Sequence, residues 1–183
     1  MARRIDLVAY RESIAARLAA AESGGGTPAL LGFEAGDGRW LIELPAAGEV
    51  LPVPPLTPVP LTYAWFAGLA SVHGELEAVV DLSVFCGGPP TPREGAARIL
   101  RIGMKSGGNA ALLVGRVHGL KRTDTLFADP DAAPVGDDWR GQVCIDNQGE
   151  RWTHLDPLRL LADPRFLDAT MSDQDAIADI GIP

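Results

Sequence analysis

Apolar and polar positions alternate with a period of two from residue 29 onward, in short runs punctuated by Gly and Pro. That pattern predicts strands rather than helices. Leu30–Ala35 and Arg39–Leu44 flank Gly36-Asp37-Gly38, the composition of a hairpin turn. The stretch Pro58–Leu82 reads as a short Trp-bearing helical turn, a strand over Phe66–Val72, a two-residue turn at His73-Gly74, and a second strand over Glu75–Asp81. In that second strand Leu76, Ala78 and Val80 share one face, and Glu75, Glu77 and Val79 share the other. Arg98–Gly103 and Ala110–Val117 read as strands around Lys105-Ser106-Gly107-Gly108-Asn109. Ala110–Val114 is apolar throughout, which predicts burial on both faces. Gln142–Asp146 and Glu150–Thr153 flank Asn147-Gln148-Gly149.

Helical spacing occurs near the ends. Leu7, Tyr10, Ile14, Leu18 and Ala21 recur at intervals of three and four, which predicts an amphipathic helix over residues 5–22. Gly24-Gly25-Gly26 ends it as a flexible connector. The run follows a helix and is not trailed by Lys-Ser or Lys-Thr, so it does not read as a phosphate cradle. Leu155, Leu158 and Leu161 predict a short helix over Leu155–Ala162. Pro45–Pro60 holds enough proline to exclude a central strand, and its spaced Val50, Leu51, Val53, Leu56 and Val59 suit a segment pinned to a barrel wall. Asp129–Asp138 reads as a loop, and residues 169–183 as an acidic tail, frayed or partly helical. The fold class expected is mainly β, a small barrel or sandwich.

Composition narrows the function. A net charge of −8 without a basic run argues against a nucleic-acid partner. No apolar stretch approaches the ~18 residues of a membrane span, and Asp6, Arg11 and Glu12 interrupt any leader-like run. The expectation is a cytoplasmic protein with no direct membrane insertion.

Side chains suited to chemistry are sparse. His73, His118 and His154 lack helical pairing or an H-E-x-x-H frame, so no metal site is expected. Cys86 and Cys144 form no C-x-x-C motif and read as buried or half-buried thiols. A Cys144–His154 or Cys86–His73 couple is the enzymatic alternative, but no nucleophile elbow supports it. Asp81 precedes Leu82-Ser83-Val84-Phe85, where its carboxylate suits a helix cap better than a catalytic role. Trp40, Trp65, Trp139 and Trp152 suit a core or a protein interface. No catalytic residue and no cofactor is expected.

Pro60, Trp65, Gly68, Gly74, Val80, Asp81 and Leu82 form an ordered signature, and it resembles that of the CheW family of chemosensory adaptors. Further stretches are similar to the family over about Leu30–Leu161. They are Leu31-Gly32-Phe33 with Trp40-Leu41-Ile42, Gly48-Glu49-Val50-Leu51, Ile99-Leu100-Arg101-Ile102, Leu112-Leu113-Val114 and Val117-His118-Gly119-Leu120. Gly149-Glu150-Arg151-Trp152, Leu155-Asp156 and Pro164-Arg165-Phe166-Leu167 resemble the PilI-type subgroup serving type IV pilus systems, as does a helix ahead of the barrel.

The resemblance implies two small β-barrels side by side, with Val117–Leu120 in the second. It implies an N-terminal helix and linker over residues 1–28, a CheW-like domain over 29–168 and the tail beyond. It implies a non-catalytic scaffold that couples the cytoplasmic tip of a methyl-accepting chemoreceptor to the regulatory domain of a CheA-type histidine kinase, recruited to membrane-associated receptor arrays and controlling twitching motility. Ala47, Glu49, Val50, His73 and Gly74 are the implied protein-binding residues, and Pro60, Trp65, Gly68 and Asp81 the structural signature. Where the family usually carries Arg before the Gly of the signature turn, this chain has His73, which would meet an acidic receptor group only by different chemistry. The alternatives are a small barrel that binds another ligand or protein, and a Cys/His barrel enzyme.

Overall fold

The computed structural model describes residues 29–102, 110–132 and 138–171. The expected helix over 5–22, the Lys105–Asn109 loop and the tail past Met171 lie outside them. β1 (Ala29–Ala35) and β2 (Gly38–Glu43) form the expected hairpin. β3 (Ala47–Pro52) then crosses to a second sheet and pairs with β6 (Arg98–Ile102). β4 (Phe66–Val72) and β5 (Glu75–Asp81) form the signature hairpin, and β5 runs straight into α1 (Leu82–Phe85). β7 (Ala110–Val114) lies between β5 and β6. β8 (Arg116–Arg122) returns to β1, and a 3₁₀ turn at Thr123–Thr125 leads to β9 (Leu126–Ala128). β10 (Arg140–Asp146) and β11 (Arg151–Leu155) complete the first sheet, followed by α2 (Pro157–Ala162) and α3 (Pro164–Leu167).

The first sheet has the order β8-β1-β2-β11-β10-β9 and the second β3-β6-β7-β5-β4. Each contains one parallel pair, β2 with β11 and β5 with β7, among otherwise antiparallel neighbours.

Alternation along the strands divides the apolar side chains among three cores. Leu30 and Leu41 meet Trp152 inside the first sheet's curve. Val79, Ile99, Ala111 and Leu113 meet Ala67, Ala70 and Val72 inside the second. The positions between them point the opposite way. Leu31, Phe33, Trp40 and Ile42 from the first sheet meet Val80, Leu100, Ile102, Leu112 and Val114 from the second, and α2 and α3 add Leu160 and Phe166. Ala110–Val114 is buried at every position, as its unbroken apolar run predicts.

Several boundaries depart from the sequence reading. The run Ala110–Val117 breaks at Gly115, whose N–H donates to the Glu34 carbonyl at 2.8 Å. Val117–Leu120 therefore lies in the first sheet beside β1, not in the second barrel. β7, central in the second sheet, buries every residue, while β8, at the edge of the first, alternates exposed and half-buried positions. Ahead of β4 the Trp-bearing segment is a single turn, closed by Phe66 N–H donating to Tyr63 C=O, not a helical one. Leu155 ends β11, and Asp156 caps α2, which begins at Pro157. Proline at that first helical position lacks only an N–H that no helical carbonyl would accept. β9 and α3 have no counterpart among the elements expected from the sequence. Beyond it, Ala169–Met171 bridges back to Leu61–Tyr63 through Thr62↔Thr170.

One buried aspartate organises a turn in each sheet. Asp146 accepts hydrogen bonds from Lys121 Nζ at 3.0 Å, Gln148 N–H at 2.9 Å and Trp152 Nε1–H at 3.0 Å. Burial alone would raise its pKa, but these donors hold it below the ordinary carboxylate range. Asp81 is the corresponding turn anchor of the second sheet. It accepts from Ser83 N–H at 3.1 Å, Thr91 N–H at 2.8 Å and Thr91 Oγ1–H at 2.7 Å. It is the cap that the sequence predicts, and it also pins the loop around Thr91.

The Pro-rich segment is held against the second barrel as expected. Thr57 and Leu69 exchange two backbone hydrogen bonds of 2.8 Å, while Leu51, Val53 and Leu56 pack on the barrel core. Gly68 permits this closure. Its φ is +130°, and a Cβ there would stand 2.5 Å from the Thr57 carbonyl oxygen. Gly68→Val should cost about 1–3 kcal/mol by overpacking. Gly87→Ala, at φ +85° with nothing within 4 Å, supplies a control for backbone strain alone. Urea unfolding should rank Gly68→Val well below Gly87→Ala; equal midpoints would refute the role given to Gly68.

Candidate protein-binding site at the mouth of the second barrel

The His73-Gly74 turn has φ of 52° and 85°. Positive φ at both central residues is the two-residue hairpin geometry that follows the twist of its strands. The turn carries His73 out to one end of the second barrel. Across the opening, pairing of β3 with β6 shifts register between Ala47 and Val50. A bulge of this kind re-aims side chains. Ala47 and Val50 pack against the shared core, while Glu49 projects over the opening.

Glu49 and His73 meet there. His73 Nε2 lies 2.8 Å from Glu49 Oε2, joining the edge strand β3 to the β4–β5 turn. The acidic partner that His73 finds is therefore a residue of its own chain. Gly74 has nothing within 4 Å of the position a Cβ would occupy.

Beneath this pair lies Arg101 on β6. Its guanidinium Nη2 donates to Glu75 at 2.9 Å and contacts Glu77, and Nη1 stands 3.8 Å from Glu49. The Arg101 side chain is only 5% exposed and Glu77 only 1%. Hydrogen bonding to Glu77 holds the guanidinium above its ordinary range, against the opposing effect of burial. One cation thus ties together β3, β5 and β6. The sequence reading took Arg101 as an ordinary strand position. Two features mark it: an Arg between the apolar Leu100 and Ile102, and Glu77 on the same face of β5 as the inward-facing Val79. Two opposite charges at inward positions of neighbouring elements point to a buried pair.

The signature residues Trp65 and Asp81 lie at the base of the hairpin, at the other end from the His73-Gly74 turn. Trp65 is partly buried, stacked with Tyr63 and Phe166 and edge-on to Phe85. Its carbonyl accepts the Asp81 N–H at 2.8 Å. Pro60 is exposed in the turn before it.

The remaining candidates for chemistry are dispersed. His118 Nε2 lies 2.8 Å from Glu34 and its ring is edge-on to Trp152. Burial holds His154 below the ordinary histidine pKa, and the Glu43 charge opposes this. Cys86 and Cys144 are free thiols. Burial raises both, and at Cys86 it outweighs the opposing Arg140. Among the described residues no group of three or more His, Cys, Asp or Glu is placed to hold a metal, and no helix is long and apolar enough to cross a membrane.

Two small β-sheets with private cores, fused through a third, define a double-barrel β module. The CheW-like domain model matches residues 29–165, and the chain belongs to that family. The crystal structure of the scaffolding protein TtCheW from Thermoanaerobacter tengcongensis is similar, with a TM-score of 0.62 at 16% sequence identity. The match covers 76% of this chain and 95% of that one, and at this identity it speaks to the fold. No curated protein sequence matches the chain.

The Arg101–Glu77 pair makes a sharp energetic prediction. Arg101→Met alone leaves the Glu77 carboxylate buried without its cation and should cost about 3–5 kcal/mol. Combining it with Glu77→Leu should restore most of that loss, because an apolar pair of similar volume needs no compensation. Urea unfolding of the three proteins reads this directly. A single variant as stable as wild type would show that the pair is not buried in solution.

Proposed function

We propose that this chain is a non-catalytic scaffold adaptor of a chemosensory pathway, binding the regulatory domain of a CheA-type histidine kinase and the cytoplasmic tip of a methyl-accepting chemoreceptor. The observation that carries the reading is the family match over residues 29–165. The chemistry of the fold agrees with it. Both barrel interiors are packed with side chains, its aspartates serve as caps and turn anchors, and its histidines are dispersed. Such a molecule acts through its surfaces.

The receptor-facing surface in this reading is the barrel mouth of Glu49, His73 and Gly74, with Ala47 and Val50 fixing the strand that presents Glu49. The kinase takes a separate face. The pathway is one controlling type IV pili, on the strength of the Gly149–Trp152, Leu155-Asp156 and Pro164–Leu167 stretches. The protein works in the cytoplasm, recruited to membrane-associated receptor arrays.

Affinity capture of the tagged full-length chain from its native cytoplasm tests this reading. A histidine kinase and a coiled-coil receptor should both co-purify, and genes for pilus retraction should share the phenotype of its deletion. Recovery of neither protein, with the bait folded, would overturn the reading.

A further inference from the structure

The two private cores are unequal. Among the described residues the second barrel buries eight apolar side chains in its own core, and the first buries only Leu30, Leu41 and Trp152. The next positions on that inner face of β2 and β11 are Glu43 and His154, so the first barrel ends on polar side chains. At that end lies a cleft of about 410 Å³, lined by Glu43, Ala46, Gly141, His154, Leu155 and Leu158. Leu158 of α2 is 61% exposed there. Burial already disfavours charge on His154, so the interior of the cleft suits apolar groups better than ions.

The chain enters the fold at the same end. The Ala29 carbonyl accepts the Leu44 N–H at 3.1 Å, and Leu30 lies opposite Glu43. From β1 to β11 is two strand spacings, about 10 Å. The linker over residues 23–28 spans up to about 20 Å, so an element ahead of it reaches the cleft. The sequence supplies an element that needs cover. Residues 5–22 carry Leu7, Tyr10, Ile14, Leu18 and Ala21 on one helical face. A helix of that length is marginal in water unless such a face is packed. Leu18 and Ala21 are the members of the stripe nearest the linker. Arg11, four residues after Leu7 and three before Ile14, borders the stripe, and the exposed Glu43 stands on the cleft with the opposite charge.

We infer that the apolar face of residues 5–22 docks intramolecularly over this end of the first barrel, seating Leu18 and Ala21 in the cleft against Ala46 and Leu158. The occupant is the chain's own segment because the Gly-rich tether holds it there at an effective concentration on the order of 1 mM, an advantage that an untethered partner lacks. The inference is independent of the proposed function, and each fails without the other.

Limited trypsin digestion of the full-length chain, read by mass spectrometry, tests it. Arg11 and Arg17 lie within the segment, and cleavage after them reports its undocked fraction. Leu158→Asp changes the cleft at an exposed position in the first turn of α2, where an acidic side chain suits the helix. It should speed cleavage about tenfold, and Leu18→Asp should do the same from the other side of the contact. Leu76→Asp, equally exposed but on the second barrel, is the control and should leave the rate unchanged. The Gly141 and His154 amide resonances should move in Leu18→Asp, which leaves the barrel itself unaltered. Equal cleavage rates in the Leu158→Asp and Leu76→Asp proteins, or unmoved resonances, would overturn the inference. So would wild-type protection that appears only at high protein concentration, which would assign the cleft to the segment of a second copy.

Discussion

The fold depends on strands that must bury both of their faces. β7 has no exposed position, and β1, β2, β5 and β6 each send alternate side chains into a private core and into the shared one. A single sheet packed on one side leaves half of such residues in water, at about 1.5–3 kcal/mol for each large apolar side chain. Two curved sheets set against each other remove that cost. The shared core makes the molecule one unit rather than two beads on a linker. It also fixes where the barrel ends lie, and so where surfaces for partners are presented.

Within this scheme the few buried polar groups have architectural roles. Asp146 and Asp81 gather the backbone and side-chain donors of the turns at which each sheet changes direction. Arg101 and Glu77 occupy the second barrel where further apolar residues would otherwise stand. Such a pair adds little net stability over an apolar replacement. Here it ties β3, β5 and β6 together at one end of the second sheet.

Much of the fold is legible in the residues. The Gly36-Asp37 and His73-Gly74 turns, the doubly buried Ala110–Val114 run, the Asp81 cap and the close approach at Gly68 each follow from one local rule. The site is less legible. The signature points to Glu49 and His73, but their pairing depends on a bulge in β3 and on a partner 24 residues away in sequence. The sequence hints at Arg101 but not at its full set of partners, because its three carboxylates come from two other strands. Val117–Leu120 fell on the wrong sheet for a similar reason. Nothing in its alternation tells which of two edges it joins, and the crossover at Gly115 leaves only a single glycine as its mark.

The central claim is that this molecule acts by coupling two other proteins. Reconstitution measures it most directly. Receptor-bearing membranes and the purified histidine kinase are assayed for autophosphorylation with and without the chain, across a titration of receptor ligand. The account predicts that the kinase rate responds to the ligand only when the chain is present, and that the response saturates with its concentration. A ligand response of equal size without the chain, or none with it although both partners are active, would contradict the account.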